Sequence, residues 1–203
     1  MRYLTISLLT FFLFSCGSYP KKQQLNPTEN ETAVVSNGYF SNAQHDYLYK
    51  AHITAYGKTF GGLFIVKKTG EDQHRVAFTT EMGNKIFDFS IKNNTFTVNY
   101  ILEDLNRKLL LNVLKQDFTV LVKETSPTTK AFAKANTSVF ETEILGKPHY
   151  YYTKNNTLDQ IVKVKNGKAN TVFSFSKIND NIAEQITIKH HNIALEINLK
   201  SIY

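Results

Sequence analysis

Residues Lys50–Ile91 read KAHITAYGKTFGGLFIVKKTGEDQHRVAFTTEMGNKIFDFSI, and their periodicity decides the fold. Tyr47, Tyr49, Ala51, Ile53 and Ala55 recur at every second position, with Lys50, His52 and Thr54 between them. Side chains of a strand alternate between faces, so this spacing predicts a half-buried strand. Phe60, Gly62, Phe64 and Val66 repeat it, then Val76, Phe78, Thr80 and Met82, then Phe87, Phe89 and Ile91, and finally Phe96, Val98 and Tyr100. Turn formers separate the runs at Tyr56-Gly57-Lys58, Thr69-Gly70-Glu71-Asp72, Gly83-Asn84 and Asn93-Asn94. Five consecutive antiparallel strands follow.

Working toward the C-terminus, the period changes. Leu102, Leu105, Leu109, Val113 and Leu114 recur at helical spacing, interleaved with Glu103, Asp104, Asn106, Arg107 and Lys108. This predicts an amphipathic helix with acidic residues in its first turn, ending near Gln116. KETSPTTKAFAKANTS (123–138) reads as a connector with short helical character. Strands resume over Ser138–Ile144, His149–Lys154 and Gln160–Lys165, where Asn166-Gly167 marks a hairpin. Three further alternating runs close the chain, around Thr171–Phe175, Ile186–Ile188 and Ile193–Leu199. The expected fold is mainly β (α+β): an antiparallel half-barrel of about eleven strands, curled because a sheet this long does not lie flat, with the central helical segment covering its concave face.

Toward the N-terminus, Arg2 and the apolar run Tyr3–Phe14 have the charge and length of a signal peptide, too short to span a bilayer. Leu13-Phe14-Ser15-Cys16 resembles a bacterial lipobox, which makes Cys16 the lipid attachment site and first mature residue. Cys16 is the single cysteine of the chain, so it has no intramolecular disulfide partner. Acyl chains there would anchor the protein to a membrane. Gly17 and Ser18 follow with no Asp beside the cysteine, and no acidic residue precedes Glu29, so the expected location is the outer membrane, facing the periplasm. The expected organisation is a signal peptide over 1–15, anchor and flexible tether over 16–40, and one domain over 41–203.

The formal charge of +7 is spread along alternating strands, and no dense basic run points to nucleic acid. Among candidate chemistries, His190 and His191 are adjacent and face opposite ways on a strand. His190 falls on the side of Ile186 and Ile188, and reads as a solvated or hydrogen-bonded strand-end residue rather than a metal ligand. His45, His52, His74 and His149 lack metal-ligand spacing. With Cys16 given to the anchor no thiol nucleophile remains, and there is no Gly-x-Ser-x-Gly elbow or phosphate-binding glycine loop. Glu81 and Asp88, or Glu141 and Glu143, are the available carboxylate pairs, and each reads as the outward face of its strand. The expectation is a non-enzymatic protein with no cofactor and no metal.

An anchor, a tether and then the 50–91 stretch, with its step Thr80-Glu81-Met82-Gly83-Asn84-Lys85-Ile86-Phe87, is similar to the LolB branch of the LolA/LolB-like lipoprotein-localisation fold. The resemblance extends as an order of elements over most of residues 40–200, with Glu103–Val122 where the family places helices beneath the half-barrel. It implies an apolar cavity that accepts acyl chains, which in LolB are those of lipoproteins being delivered to the outer membrane. Two features depart from that family. The loop KKTGEDQH (67–74) is wholly polar where LolB members present an exposed apolar residue, and the tryptophans common in LolB strands are absent. The residues expected to line a cavity are Phe64, Phe78, Phe87 and Phe89, with Leu105 and Leu109 from the helix. Two functions remain open: a monomeric carrier for lipid or lipoprotein acyl chains, and an anchored interaction subunit of an envelope complex whose half-barrel is filled.

Overall fold

The structure, a computed structural model, describes residues 17–29 and 33–202. The segment expected to be a signal peptide, 1–15, and the expected lipid-attachment residue Cys16 lie outside the described residues. Fourteen strands form an antiparallel sheet: β1 (Asn26–Thr28), β2 (Val34–Ser36), β3 (Asp46–Ala55), β4 (Lys58–Gly70), β5 (Gln73–Thr79), β6 (Lys85–Lys92), β7 (Thr95–Ile101), β8 (Thr125–Lys134), β9 (Thr137–Ile144), β10 (Lys147–Lys154), β11 (Thr157–Lys165), β12 (Lys168–Asn179), β13 (Ile182–His190) and β14 (Leu195–Ser201). Their spatial order is β1-β8-β9-β10-β11-β12-β13-β14-β3-β4-β5-β6-β7, with β2 also paired to β8. The sheet is open, because β7 and β1 lie at opposite ends of that order. Among the described residues two α-helices accompany it, α1 (Tyr19–Lys22) and α2 (Lys108–Val122).

The two halves of the sheet meet where the last strand returns to the first long one. Leu195 pairs with Ala55 and the register continues to Ser201 opposite Tyr49. Tight turns set the hairpins: Asn166 and Gly167 have φ of 53° and 65°, the paired positive values that match strand twist. Gly62 serves a different need, since a Cβ there would stand 2.1 Å from the Thr79 carbonyl oxygen. Only glycine allows β4 and the end of β5 to approach so closely.

Three expectations are corrected. The strand count rises from about eleven to fourteen. The largest omission is β8, read in the sequence as a connector because Ala131 and Phe132 are its only buried apolar residues. It is a strand because it is paired along both edges, to β9 on one side and to β1 and β2 on the other. Helix α2 also runs to Val122 rather than Gln116, and Glu103 and Asp104 occupy a separate 3₁₀ turn ahead of it. Its C-terminal residues TVLV favour strands by propensity, but burial of Phe118, Val120, Leu121 and Val122 overrides that preference. Asn37 Nδ2 donates to the Leu121 carbonyl at 2.8 Å, satisfying one acceptor of the helix end.

The third correction concerns the tether. Residues 17–29 and 33–40, expected to be flexible on their polar composition, form α1, β1 and β2 and pack against the sheet. Val35, Tyr39 and Phe40 join the main core, and His74 Nε2 donates to the Phe40 carbonyl at 3.0 Å. Tyr19 and Leu25 build a second, smaller core with Phe132, Val139, Tyr150, Val162 and Val164, residues of β8 to β11 that point away from the main core. The Tyr19 and Tyr150 rings lie 4.6 Å apart, and the Tyr19 and Tyr152 hydroxyls are 2.8 Å apart. Few apolar residues suffice because each lands on an outer face that would otherwise expose aromatic surface. Replacing both Tyr19 and Leu25 by Ala should therefore lower the urea unfolding free energy by about 3–6 kcal/mol. A flexible tether would lose almost nothing.

Candidate functional site

The four phenylalanines expected to line a cavity do come together. Phe64, Phe78, Phe87 and Phe89 project from β4, β5 and β6 onto the same face, and none is more than 3% exposed. The face is closed by Phe118 of α2, whose ring lies 5.2 Å from Phe64, 5.5 Å from Phe87 and 6.3 Å from Phe89. Phe87 and Phe89 stack at 4.6 Å, and Phe96 of β7 extends the row to its edge. These tilted and offset contacts suit the ring quadrupoles as well as the area they bury.

The two helical candidates do not join them. Leu109 is 74% exposed, and Leu105 is half-buried in the 3₁₀ turn outside the packed cluster. At about 100° per residue, the nine positions from Leu109 to Phe118 amount to a half-turn offset, so Leu109 points away from the sheet. Leu110, Leu111, Val113 and Leu114 hold the inward places instead. The N-terminal half of α2 is thus partly open to solvent, while residues 117–122 are fully buried.

The same concave face changes character across the sheet. Thr142, His149, Lys163, Thr171 and His190 are successive cross-strand partners from β9 to β13, forming one polar row. Helix α2 sets polar groups above it. Asp117 Oδ2 lies 2.8 Å from His190 Nε2, the Thr171 hydroxyl is 3.3 Å from His190 Nδ1, and Lys163 Nζ donates to Gln116 Oε1 at 3.1 Å. Of the two states expected for His190, solvated or hydrogen-bonded, the structure shows the second: it is buried, and its partner stands 73 residues away in the chain. Asp117 Oδ1, His149 Nε2 and Thr142 Oγ1 are buried without a hydrogen-bond partner among the described residues. His149 Nδ1 donates to the Lys147 carbonyl at 2.9 Å, and burial pushes the imidazole down to about 4. It is neutral at pH 7.

The carboxylate pairs do not assemble into acid–base sites. Asp88 is clamped by Arg75 through contacts of 2.9 and 2.6 Å and receives Asn99 Nδ2 at 3.1 Å. The Arg75 guanidinium is the main reason its carboxyl falls to about 2. Glu81 pairs with Lys50 at 3.3 Å and Glu141 with Lys130 at 3.8 Å, all on the outer side of the sheet. A groove of about 500 Å³ also opens on that outer side, lined mainly by polar residues such as Lys50, His52, Gln185, Asn198 and Lys200. Ala51, Ile186 and Leu199 add apolar lining at its floor, but it contains none of the phenylalanines of the inner face. Among the described residues no group of His, Cys, Asp and Glu side chains is arranged to hold a metal ion, and no helix is long and apolar enough to cross a membrane.

An open antiparallel sheet with one long helix on its concave face is the architecture of the LolA/LolB-like fold. A solved LolA superfamily protein from Nitrosomonas europaea is similar to this chain with a TM-score of 0.54 at 9% identity, over 80% of this chain and 86% of that one. A DUF1329 family protein from Desulfovibrio piger is similar at a TM-score of 0.42 and 8% identity, over 77% of this chain and 83% of that one, and adds nothing to the assignment. No family model matches the sequence, and no curated protein matches it. The fold of this chain is LolA/LolB-like.

The neutral, buried His149 makes acid a specific stress. In the unfolded chain an imidazole takes up a proton near its ordinary value of 6.5, whereas in the fold it does so only near 4. The unfolded state therefore binds more protons between those values, and stability falls as pH falls through that window. His149→Gln should make the pH dependence of urea unfolding between pH 6.5 and 4 shallower by about one proton, or roughly 1.4 kcal/mol per pH unit. An unchanged slope would show that His149 is not the group responsible.

Proposed function

We propose that this chain is an outer-membrane lipoprotein facing the periplasm, acylated at Cys16, that binds an acyl chain of a lipid or of another lipoprotein on its phenylalanine face. It acts without catalysis, as a carrier or chaperone in lipid or lipoprotein localisation. The observation that carries this reading is Phe118, a single aromatic plug seated among Phe64, Phe87 and Phe89 by a helix whose N-terminal half is exposed. An acyl chain that enters beside that half of α2 takes the place of the plug.

The magnitudes favour exchange. Burying hydrocarbon contributes about 0.8 kcal/mol per CH₂, so a palmitoyl-length chain gains on the order of 10 kcal/mol before ordering costs. Displacing one phenylalanine from its packing costs about 3–5 kcal/mol. A LolA/LolB-like fold and a face of four phenylalanines supply the apolar walls such a ligand needs, with few polar groups required.

The complete burial of those phenylalanines favours a second reading. Residues 117–122 of α2 are enclosed between the sheet and the segment carrying Val35, Tyr39 and Phe40. A permanently filled half-barrel would leave the outer surface to act, as an anchored interaction subunit of an envelope complex.

The two readings separate on the chain comprising residues 17–203, purified without detergent and titrated with a fluorescent fatty acid. The carrier reading expects co-purifying acyl species by native mass spectrometry and saturable probe binding. Phe118→Ala should tighten that binding several-fold by opening the plugged site, and Leu109→Ala should leave it unchanged. A ligand-free mass with no probe binding to either the parent or Phe118→Ala selects the filled half-barrel.

A further inference from the structure

The segment that leads out of the anchor is fixed to one edge of the domain. Gly17 lies against the β11–β12 hairpin, since a Cβ built at Gly167 would stand 3.1 Å from the Gly17 carbonyl oxygen and 3.5 Å from Lys22 Nζ. Tyr19 then holds the segment through the second core, and the Lys22 amide donates to the Ser18 carbonyl at 3.1 Å. Cys16 precedes Gly17 by one peptide unit, about 3.8 Å between Cα atoms. Acyl chains on Cys16 therefore leave the protein beside this hairpin, with no slack to place them elsewhere.

That edge is also basic. Lys21 and Lys22 close α1, and Lys165 and Lys168 flank the Asn166-Gly167 turn it leans on, all four exposed. Lys165 and Lys168 are direct cross-strand partners, an arrangement of like charges that disfavours the hairpin. No acidic residue occurs in 17–28, in 160–170 or in the adjoining loop 191–194. Some exposed lysines of the sheet elsewhere have carboxylate partners, as with Lys50 and Glu81, Lys67 and Asp46, and Lys189 and Glu196, and several others do not. What sets this edge apart is four exposed lysines brought together beside Gly17 with no acidic residue in the segments that build it.

We infer that this edge is a membrane-docking surface, on which Lys21, Lys22, Lys165 and Lys168 contact anionic lipid headgroups and fix the domain upright against the bilayer that holds its anchor. The inference rests on the acylation of Cys16 proposed above. Each lysine within a Debye length of the headgroups is attracted by their negative surface potential. The short reach then does what a flexible tether would not: it makes orientation a fixed property of the domain.

The absence of tryptophan from the chain makes the test direct. Asn192→Trp places a reporter in the loop beside this edge, where the His191 amide is bonded to the Asn170 carbonyl at 2.9 Å. Asn181→Trp places one at the other end of β13, whose nine residues span about 25–30 Å. Each chain, beginning at Cys16, is coupled through that thiol to a maleimide-headgroup lipid in vesicles containing phosphatidylglycerol and nitroxide-headgroup quencher. Quenching should be several-fold stronger at Asn192→Trp than at Asn181→Trp. The difference should shrink several-fold in high salt, in phosphatidylcholine alone, or when the four lysines are replaced by Glu, leaving the smaller bias set by the attachment point. Equal quenching of the two reporters overturns the inference, and so does a preference for Asn192→Trp that the lysine replacements leave undiminished. Acylation is read separately, from the mass of the full chain extracted from bacterial membranes. An unmodified Cys16 there overturns the anchor reading while the vesicle result still decides the docking surface.

Discussion

A curled sheet that does not close has to cover its apolar hollow, and here Phe118 is the contact through which it does so. Its ring meets Phe64, Phe87 and Phe89, which come from two strands on one side of the sheet, and it brings α2 down with it. The rest of the architecture serves that contact. The long return of β14 onto β3 joins the two halves of the sheet so that one helix spans both. The segment carrying Val35, Tyr39 and Phe40 then packs over the C-terminal half of α2 and keeps it seated.

Apolar packing alone would let a helix slide or rotate on such a face. Direction comes from the polar side of the hollow, where Asp117 engages His190 and Gln116 receives Lys163. These bonds fix which face of α2 points inward. Burying them has a cost, because Asp117 Oδ1, His149 Nε2 and Thr142 Oγ1 give up water without gaining a partner among the described residues, at about 1–3 kcal/mol for each such group. A hollow with a dry aromatic half and an under-satisfied polar half is less committed to its closed state than a uniform core. That asymmetry is what the proposed exchange of Phe118 for a hydrocarbon chain requires.

Much of this was legible from residue spacing. The alternation identified the inward face at Phe64, Phe78, Phe87 and Phe89, all buried, whereas Phe60 and Met82, in the same phase near strand ends, are exposed. The parts that were not legible share a cause: they depend on contacts between residues distant in sequence. Strand β8 has too few apolar residues to betray itself and exists because both of its edges find partners. Tyr19 and Leu25 sit in a polar stretch and gain their place only from the outward rings of β8 to β11. Leu109 belonged to the right helix and the wrong phase, because the leucines of 102–114 do not all lie on one continuous helix. The pairing of Asp117 with His190 leaves no local signal at all.

The central claim is that Phe118 occupies the place of an acyl chain. Nuclear Overhauser contacts between a ¹³C-labelled fatty acid and the aromatic protons of residues 17–203 test it most directly. The account predicts contacts from the chain methylenes to Phe64, Phe87 and Phe89, with loss of the contacts those rings make to Phe118. Retention of every Phe118 contact at saturating fatty acid, with the ligand detected only on the outer surface, would contradict it.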